Sequence, residues 1–121
     1  MKPPVEHVRV STKGKEILIK VKRRTGLEHW NEICRIALCR SLANPTQPPK
    51  IEKIGDISID IDWKTFAGAS SDFLATVTYL RASNDKIDYH NKELMIDYFR
   101  GHLERGINSL QHTCTIKDLV E

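Results

Sequence analysis

Six cationic side chains lie within one twelve-residue segment, positions 13–24, and they are the residues best suited to chemistry in this chain. They are Lys13, Lys15, Lys20, Lys22, Arg23 and Arg24, and Glu16 is the one carboxylate among them. At helical spacing, Lys13, Lys20 and Arg24 form one row, and Lys15 and Lys22 form a second. Rows of ammonium and guanidinium groups bind phosphates, so the segment predicts contact with a polyanion.

Anionic membranes and nucleic acids are the two polyanions that such a helix commonly meets. The apolar side of the segment consists of Ile17, Leu18 and Val21 and has no large aromatic side chain. This composition favours packing on a second helix over insertion into lipid. A merely solvated lysine face is the alternative, but the scarcity of carboxylates favours phosphate contact, and nucleic acid is the preferred partner.

Three arginines outside the segment are further candidates. Arg9 is expected to lie on the polar face of a strand and to extend the cationic surface. Arg35 and Arg40 are weaker candidates, because Glu28 and Glu32 can pair with some of that charge.

The charge is divided unevenly along the chain. Residues 1–50 contain eleven Lys/Arg and four Asp/Glu, whereas residues 51–121 contain eight and twelve, so the formal net charge of +3 hides a basic half and an acidic half. A chain of this kind can place its basic half on a polyanion and its acidic half against protein partners or other subunits.

No pattern of catalytic or metal-binding residues stands out. The five histidines form no zinc motif, and the sequence contains no P-loop, GxGxxG or nucleophile elbow. Asp60 and Asp62 could hold a divalent ion, but a solvated strand face is the preferred interpretation because no third acidic ligand has a useful spacing. His102 is expected to be a packed, hydrogen-bonded core histidine, and the Ser70–Asp72 segment a helix N-cap. We therefore expect no enzyme activity, no metal and no cofactor.

The cysteines and the hydropathy predict a cytoplasmic setting. Cys34, Cys39 and Cys114 lack CxxC spacing and are expected to be free thiols in a reducing compartment. No apolar run is long enough to span a bilayer, and the first residues do not form a signal peptide. A soluble, cytoplasmic protein without a membrane partner is expected.

A strand and two helices must position the cations. Residues 5–10 alternate, which places His7 and Arg9 on the exposed face of a strand opposite Val8 and Val10. A helix then runs to about Arg24, with Ser11 or Thr12 as its N-cap and Gly26 at its C-terminal end. Thr25 and Glu28 fit a capping box for a second helix over 27–42. The residues predicted to face inward from that helix are Trp30, Ile33, Cys34, Ala37, Leu38 and Ser41.

The second half of the chain predicts one more strand and two more helices. The strand alternates polar residues with Ile57, Ile59, Ile61 and Trp63. After a turn around Phe66–Ala69, a helix over 71–82 is expected to bury Phe73, Leu74, Val77 and Leu80. A helix over 89–108 is expected to bury Leu94, Met95, Tyr98, Phe99, His102, Leu103 and Gly106. The tail from Thr113 is expected to be poorly ordered.

These elements predict one domain over 1–121, mostly α-helical with short β elements. It comprises a basic strand–helix–helix unit (5–44), an acidic unit of a strand and two helices (45–112) and a flexible tail (113–121). The basic unit resembles the ribbon-helix-helix architecture, in which strands pair across a dimer and enter the major groove, here with His7 and Arg9 facing the DNA. A short strand without a partner favours pairing with a second copy, so an oligomer is expected.

Four sequence stretches resemble the DndE family, whose members are encoded with the bacterial DNA phosphorothioation machinery. They are KRRTGLEHWNEICRIALCRSL (22–42), PPK (48–50), IDWKTFAG (61–68) and HLERGI (102–107), and the likeness runs from about residue 5 to residue 112. The resemblance implies a non-catalytic homotetramer that binds double-stranded DNA, favouring nicked duplex, through lysine-rich surfaces. It also implies protein partners that carry the sulfur chemistry: a cysteine desulfurase, an iron–sulfur protein resembling adenylyl-sulfate reductases, and an ATPase.

Two other functions remain open at this point. An assembly scaffold would dock other components through the acidic half, around Asp56, Asp60 and Asp62. A sequence-specific ribbon-helix-helix regulator would need base discrimination from His7 and Arg9, which is a small set of side chains for that task.

Overall fold

The structure, a computed structural model, describes residues 1–50 and 56–120. Its elements in chain order are β1 (His7–Ser11), α1 (Thr12–Thr25), α2 (Trp30–Ala43), β2 (Ile57–Asp62), α3 (Trp63–Ala67), α4 (Ser71–Asn84), α5 (Lys92–Ser109) and α6 (Ile116–Val120), with a 3-10 turn at Gly68–Ser70. The predicted mostly helical fold with short strands is confirmed.

The two strands form one antiparallel sheet within the chain. His7 lies opposite Asp62 and Arg9 opposite Asp60, and the register shifts between Val10 and Ser11, where the chain turns into α1. Val8 and Val10 are buried while His7 and Arg9 are exposed, as the alternation predicted. The premise that β1 lacks a partner in its own chain is wrong, because β2 returns to it after α2.

Helix α1 begins and ends where its sequence predicts. The Ser11 side chain accepts a hydrogen bond from the Gly14 amide at 3.0 Å, which satisfies one amide of the first turn. Gly26 adopts a left-handed conformation (φ 79°) and its amide bonds to the Lys22 carbonyl, a C-terminal geometry that glycine adopts without strain.

The predicted capping box at the start of α2 is wrong. Thr25 lies in the last turn of α1, where its hydroxyl donates to the Val21 carbonyl at 2.7 Å. Helix α2 starts five residues later, at Trp30, and its N-cap residue His29 makes no side-chain capping bond.

Helices α2 and α5 form the centre of the hydrophobic core. The predicted inward residues of α2 are buried with the exception of Trp30, which is half-buried. Their core neighbours from α5 include Phe99, Leu103 and Ile107, and each fully buried side chain of this size contributes about 1.5–3 kcal/mol of transfer free energy. Gly106 permits close approach, because a Cβ there would overlap the carbonyl group of Ala37.

A short helix, α3, replaces the end of the predicted second strand and the turn after it. Asp62 caps it by accepting a hydrogen bond from the Thr65 amide at 3.2 Å. Trp63 therefore belongs to the helix rather than to the strand. It is buried against Phe66 and Phe99, with ring centroids 5.5 and 5.9 Å away.

Helix α4 buries a different face from the predicted one. Leu74 is buried as expected, but Phe73 and Leu80 are 64% and 60% exposed and Val77 is half-buried. The residues that face the core are small or polar, Ala75, Thr78 and Ala82, together with Leu74. Leu94 at the start of α5 is also exposed rather than buried.

The C-terminal tail, which was expected to be flexible, contains α6. Leu119 is buried in the core, and Arg40 donates hydrogen bonds to the carbonyls of Asp118 and Leu119 at 3.0 and 3.3 Å. One apolar side chain and one arginine therefore fasten this segment to α2.

Candidate nucleic-acid interface

The cations of α1 surround a buried stripe. The stripe consists of Gly14, Ile17, Leu18 and Val21. At about 100° per residue, Lys13, Lys20 and Arg24 fall within about 40° of one another on one flank of it, and Lys15 and Lys22 lie together on the other. Arg23 projects from the outer face beside Glu16 and the partly exposed Ile19. The structure thus places the six predicted cations around one helix, with Lys13, Lys20, Arg23 and Arg24 exposed and Lys15 and Lys22 half-buried.

Five of these cations have no partner among residues 1–50 and 56–120. In the described part of the chain, no ion pair, hydrogen bond or aromatic contact involves Lys13, Lys15, Lys20, Arg23 or Arg24. The sixth, Lys22, places its Nζ 5.0 Å from the centre of the Trp30 ring, a cation–π contact worth about 0.5–1 kcal/mol at an exposed site. The charge of the surface is therefore available to a ligand.

The helix dipole offers a structural role for part of this charge. Lys22, Arg23 and Arg24 occupy the last turn of α1, where a cation stabilises a helix by about 0.3–1 kcal/mol. Lys13, Lys15 and Lys20 lie too early in the helix to act in this way. The helix dipole therefore explains the three cations in the last turn of α1, but it gives no structural role to Lys13, Lys15 and Lys20.

The Asp60 carboxylate neutralises part of the exposed face of β1. One of its oxygens lies 3.2 Å from His7 Nδ1, and the other accepts a hydrogen bond from Arg9 Nε, also at 3.2 Å. The charge of Arg9 is therefore partly balanced by the Asp60 carboxylate, whereas no carboxylate in the described part of the chain pairs with the cations of α1.

The two weaker candidates have structural partners. Arg35 donates to the carbonyl of Phe66 at 2.9 Å and so ties α2 to α3. Arg40 fastens the C-terminal segment, as described above. Neither side chain belongs to the α1 surface.

The carboxylates of β2 serve the fold. Asp60 is engaged by β1, and Asp62 caps α3. Hydrogen bonds from Thr65 hold the pKa of Asp62 below its usual value. Among the described residues, no group of three or more His, Cys, Asp or Glu is arranged to hold a metal ion.

The N-cap of α4 is Ser70, within the segment predicted for it, and Ser71 is the first residue of the helix. Ser70 occupies the N-cap position without a side-chain hydrogen bond. The Ser71 hydroxyl instead accepts from the indole Nε1 of Trp63 at 2.9 Å.

His102 is a packed, hydrogen-bonded histidine, as predicted. It is fully buried, and its Nδ1 lies 2.8 Å from the Ser41 hydroxyl. That hydroxyl accepts from Arg105 Nε, also at 2.8 Å, so its own proton can point at Nδ1. Burial, together with the charges of Arg105 and Arg81, lowers the pKa of His102 to about 4. Because it is sealed in the core, it does not act on a bound ligand.

The three cysteines are free. Cys34 is buried on α2, and this burial raises the pKa of its thiol to about 12. Cys39 and Cys114 are exposed. Because its thiol is so weakly acidic, Cys34 contributes to core packing and does not act as a nucleophile.

The sequence did not predict an exposed apolar stripe on α4. Phe73, Val77 and Leu80 line one side of a shallow groove that Leu42 and Ala43 of α2 close on the other. Their i, i+4, i+7 spacing was visible in the sequence, but it does not distinguish a core-facing stripe from one that faces outward. We call these three residues the α4 stripe.

Hydropathy gives no candidate membrane span: none of the helices in the described residues is long and apolar enough to cross a bilayer.

The fold and this surface define a class of protein: a small helical domain that presents a cationic helix beside a two-stranded sheet. The family model of DndE, described as DNA sulphur modification protein DndE, matches residues 7–118. The chain therefore belongs to the DndE family, and the resemblance read from its sequence is confirmed.

A solved structure shares this fold. The crystal structure of DndE from Escherichia coli B7A, involved in DNA phosphorothioation modification, matches with a TM-score of 0.72. The sequence identity is 22%, over 91% of this chain and 98% of that chain, so the likeness shows a shared fold. No curated protein matches the chain.

Proposed function

We propose that this protein is a non-catalytic component of bacterial DNA phosphorothioation that binds double-stranded DNA through α1. Membership of the DndE family supports the modification system. The single observation that supports DNA contact is the cationic surface of α1, five of whose six cations have no partner in the described part of the chain. The sulfur chemistry would belong to other proteins of the system: a cysteine desulfurase, an iron–sulfur protein and an ATPase.

The geometry of α1 suits backbone contact. The row of Lys13, Lys20 and Arg24 extends over about 16 Å of helix rise, and each DNA strand carries one phosphate per 3.4 Å of axis. Phosphate contacts of this kind fix a protein on the duplex without reading its sequence. The proposed role is to hold DNA for modification, on the cytoplasmic side of the cell envelope.

Sequence-specific regulation is the less favoured function. It would require His7 and Arg9 to reach base edges, but both side chains are held by Asp60. Releasing them would break two contacts of the sheet before any base is read.

A preference for nicked duplex would follow from deformation energy. A nick removes the stiffness of one strand, so a duplex that carries it bends onto a concave cationic assembly at lower cost. We expect affinity to rise from rigid intact duplex to nicked duplex and further to a gapped one. Equal affinity for all three would exclude bending as the cause.

The α4 stripe supports an assembly of several subunits, which we propose to be a homotetramer. Exposed apolar residues at helical spacing on one face are typical of surfaces that dock a partner helix or subunit. The same stripe favours the second candidate function, an assembly scaffold in which DNA contact is incidental.

Complementation of a phosphorothioating strain that lacks this gene separates the two functions. One variant carries Lys13→Gln, Lys20→Gln and Arg24→Gln; the matched control carries Lys2→Gln, Lys64→Gln and Lys86→Gln, which removes the same charge from other exposed positions. DNA contact through α1 predicts loss of phosphorothioate, measured by mass spectrometry of DNA, in the first strain only. Normal modification in both strains would favour the scaffold.

A further inference from the structure

A cavity of about 240 Å³ lies between β1 and the first half of α5. Its walls carry His7 and Arg9 from β1, Lys92 and Arg100 from α5, and Glu6 from the residue before β1. Three permanent cations therefore face one carboxylate. The cavity is smaller than the roughly 300–1,000 Å³ of sites for drug-sized ligands, which suits a small anion or one charged group of a larger molecule.

Arg100 is the unusual residue of this cavity. It is only 9% exposed, and its Nε and Nη2 atoms are buried without a hydrogen-bond partner among the residues that the structure describes. A guanidinium group is seldom buried unless it is paired, because losing water without gaining a partner is costly. An unsatisfied buried donor in a native fold therefore needs an explanation, and an unfilled binding site is one.

Two carboxylates lie near Arg100, and neither is hydrogen-bonded to it. Glu104, one helical turn away, accepts hydrogen bonds from both the amide and the hydroxyl of Ser11, each at 3.0 Å. Asp97 attracts Arg100 electrostatically, as Glu104 does, yet no hydrogen bond joins either of them to it. The described residues therefore leave the Nε and Nη2 donors of Arg100 unpaired.

The two flanking cations of the cavity, Arg9 and Lys92, each have one acidic partner. Arg9 donates its Nε to Asp60, and in the described part of the chain its two terminal nitrogens make no hydrogen bond. Lys92 Nζ lies 3.6 Å from a carboxylate oxygen of Glu6, and both side chains are more than two-thirds exposed. Lys92 can therefore turn toward an anion at little cost.

We propose that this cavity binds a phosphate-class oxyanion, with Arg100 as the principal donor and Arg9 and Lys92 as flanking cations. A planar guanidinium presents paired donors that match two oxygens of a phosphate. Although Asp60 shares the charge of Arg9, the lining has three cations and one carboxylate, a balance that favours an anionic ligand. The site lies on β1 and α5 rather than on α1, so it does not rest on the DNA contact proposed above.

Inorganic phosphate is the probe for the first test. The full chain is titrated at constant ionic strength with chloride as the balancing anion, and both the melting temperature and the NMR signal of the Arg100 Nε–H group are followed. We expect a saturable rise in melting temperature, as linkage requires of a ligand that binds the native state, and a saturable shift of the Arg100 signal with the same midpoint. If neither changes saturably, the proposal is wrong.

Three variants locate the site. Arg100→Met should abolish the phosphate effect and should melt at a higher temperature than wild type in phosphate-free buffer, because it removes a buried, unpaired charge. Lys92→Met, at an exposed position, should raise the phosphate midpoint by about threefold to tenfold. Lys64→Met, which makes the same charge change at an exposed position of α3 outside the cavity lining, should leave the midpoint unchanged.

The variants also keep the proposal falsifiable if Arg100→Met fails to fold. The wild-type Arg100 signal and the Lys92→Met midpoint then decide: a Lys92→Met midpoint equal to wild type would overturn the proposed site. Phosphate effects that persist in a folded Arg100→Met variant would overturn it as well.

The source of the phosphate is distinguished with short duplexes. A duplex with a 5′-phosphate and one with a 5′-hydroxyl are compared for their effect on the Arg100 signal. A shift that requires the 5′-phosphate indicates the end of a nucleic acid strand, whereas a shift with inorganic phosphate alone indicates a free phosphate compound. An Arg100 signal that ignores all three ligands contradicts the proposal.

Discussion

At the scale of single residues, the core of this protein contains a titratable group that is tuned to stay neutral. The Nδ1 atom of His102 accepts a hydrogen bond from the Ser41 hydroxyl, and the oxygen of that hydroxyl accepts one from Arg105 Nε. Its Nε2 is buried without a partner, and its ring meets that of Tyr98 edge-on with centroids 4.7 Å apart. Protonation would place a charge beside Arg105 and replace the acceptor at Nδ1 with a donor.

The pH dependence of stability follows from this arrangement. The folded pKa of about 4 lies below the value of 6.5 for an unperturbed histidine, so between these values the unfolded chain binds more protons and stability falls as pH falls. The loss is at most about 3 kcal/mol between pH 7 and pH 4. Urea unfolding at pH 7 and pH 4.5 should show a smaller loss in His102→Asn than in wild type.

His90→Asn is the matched control, because His90 is exposed. This variant should lose as much stability on acidification as wild type does. The carboxylates titrate alike in all three proteins and cancel in the comparison. An equal pH dependence in His102→Asn and wild type would contradict the assignment.

At the scale of elements, the closest packing in the core is between α2 and α5. Gly106 lies against the backbone of Ala37, where no side chain fits. Gly106→Ala should lower the free energy of unfolding by about 3 kcal/mol or more, because backbone cannot yield as a flexible side chain can. Asn108→Ala, at an exposed position of the same helix, should leave it nearly unchanged. Chemical denaturation measures both, and a Gly106→Ala loss below about 1 kcal/mol would refute the close contact.

The sequence predicted elements best where the signals were local. The Ser11 cap, Gly26 and the apolar stripe of α1 lie within a few residues of one another, and all were right. The capping box at Thr25 failed because Thr25 also fits the last turn of the preceding helix, where it bonds to the Val21 carbonyl. Helix α3 was missed because Trp63 continues the alternation of β2, and only the bond from Thr65 to Asp62 ends the strand there.

Errors over longer range came from contacts that periodicity does not encode. The partner of β1 lies some fifty residues away in the chain, so strand length alone could not identify it. The side chains that α4 buries depend on which of its faces meets the core. That face carries mainly small residues, and Phe73 and Leu80 lie outside it. The position of the α1 cations around a buried stripe could be predicted from helical spacing alone, while their contact with phosphate stays a prediction. The sequence could not predict that Arg100 lacks a carboxylate partner, because this depends on the hydrogen bond between Ser11 and Glu104.

At the scale of the whole molecule, the α4 stripe predicts self-association. Phe73→Ser combined with Leu80→Ser should reduce the mass of the assembly, measured by analytical ultracentrifugation, while the helical circular dichroism stays as in wild type. Leu94→Ser with Ile116→Ser removes two exposed apolar residues away from the stripe and should leave the mass unchanged. Wild-type mass in the α4 variant would exclude the stripe as the subunit interface.

The division of charge along the chain fits a molecule with two kinds of partner. Apart from Lys22, the cations of the α1 surface have no partner in the described part of the chain, while Asp60 and Asp62 of the acidic half are used within the sheet and at the cap of α3. The α1 cations therefore have charge to offer a ligand, whereas these two aspartates are already engaged. The central claim is that this charge contacts DNA phosphates.

The most direct test is duplex binding across a salt series, for wild type, the Lys13→Gln/Lys20→Gln/Arg24→Gln variant and the Lys2→Gln/Lys64→Gln/Lys86→Gln control. Each phosphate contact contributes about 0.9 to the slope of log K against log salt. The α1 variant should therefore lose up to about 2.7 in slope, and the control should keep the wild-type slope. Equal slopes in all three proteins, or equal losses in variant and control, would contradict DNA contact through α1.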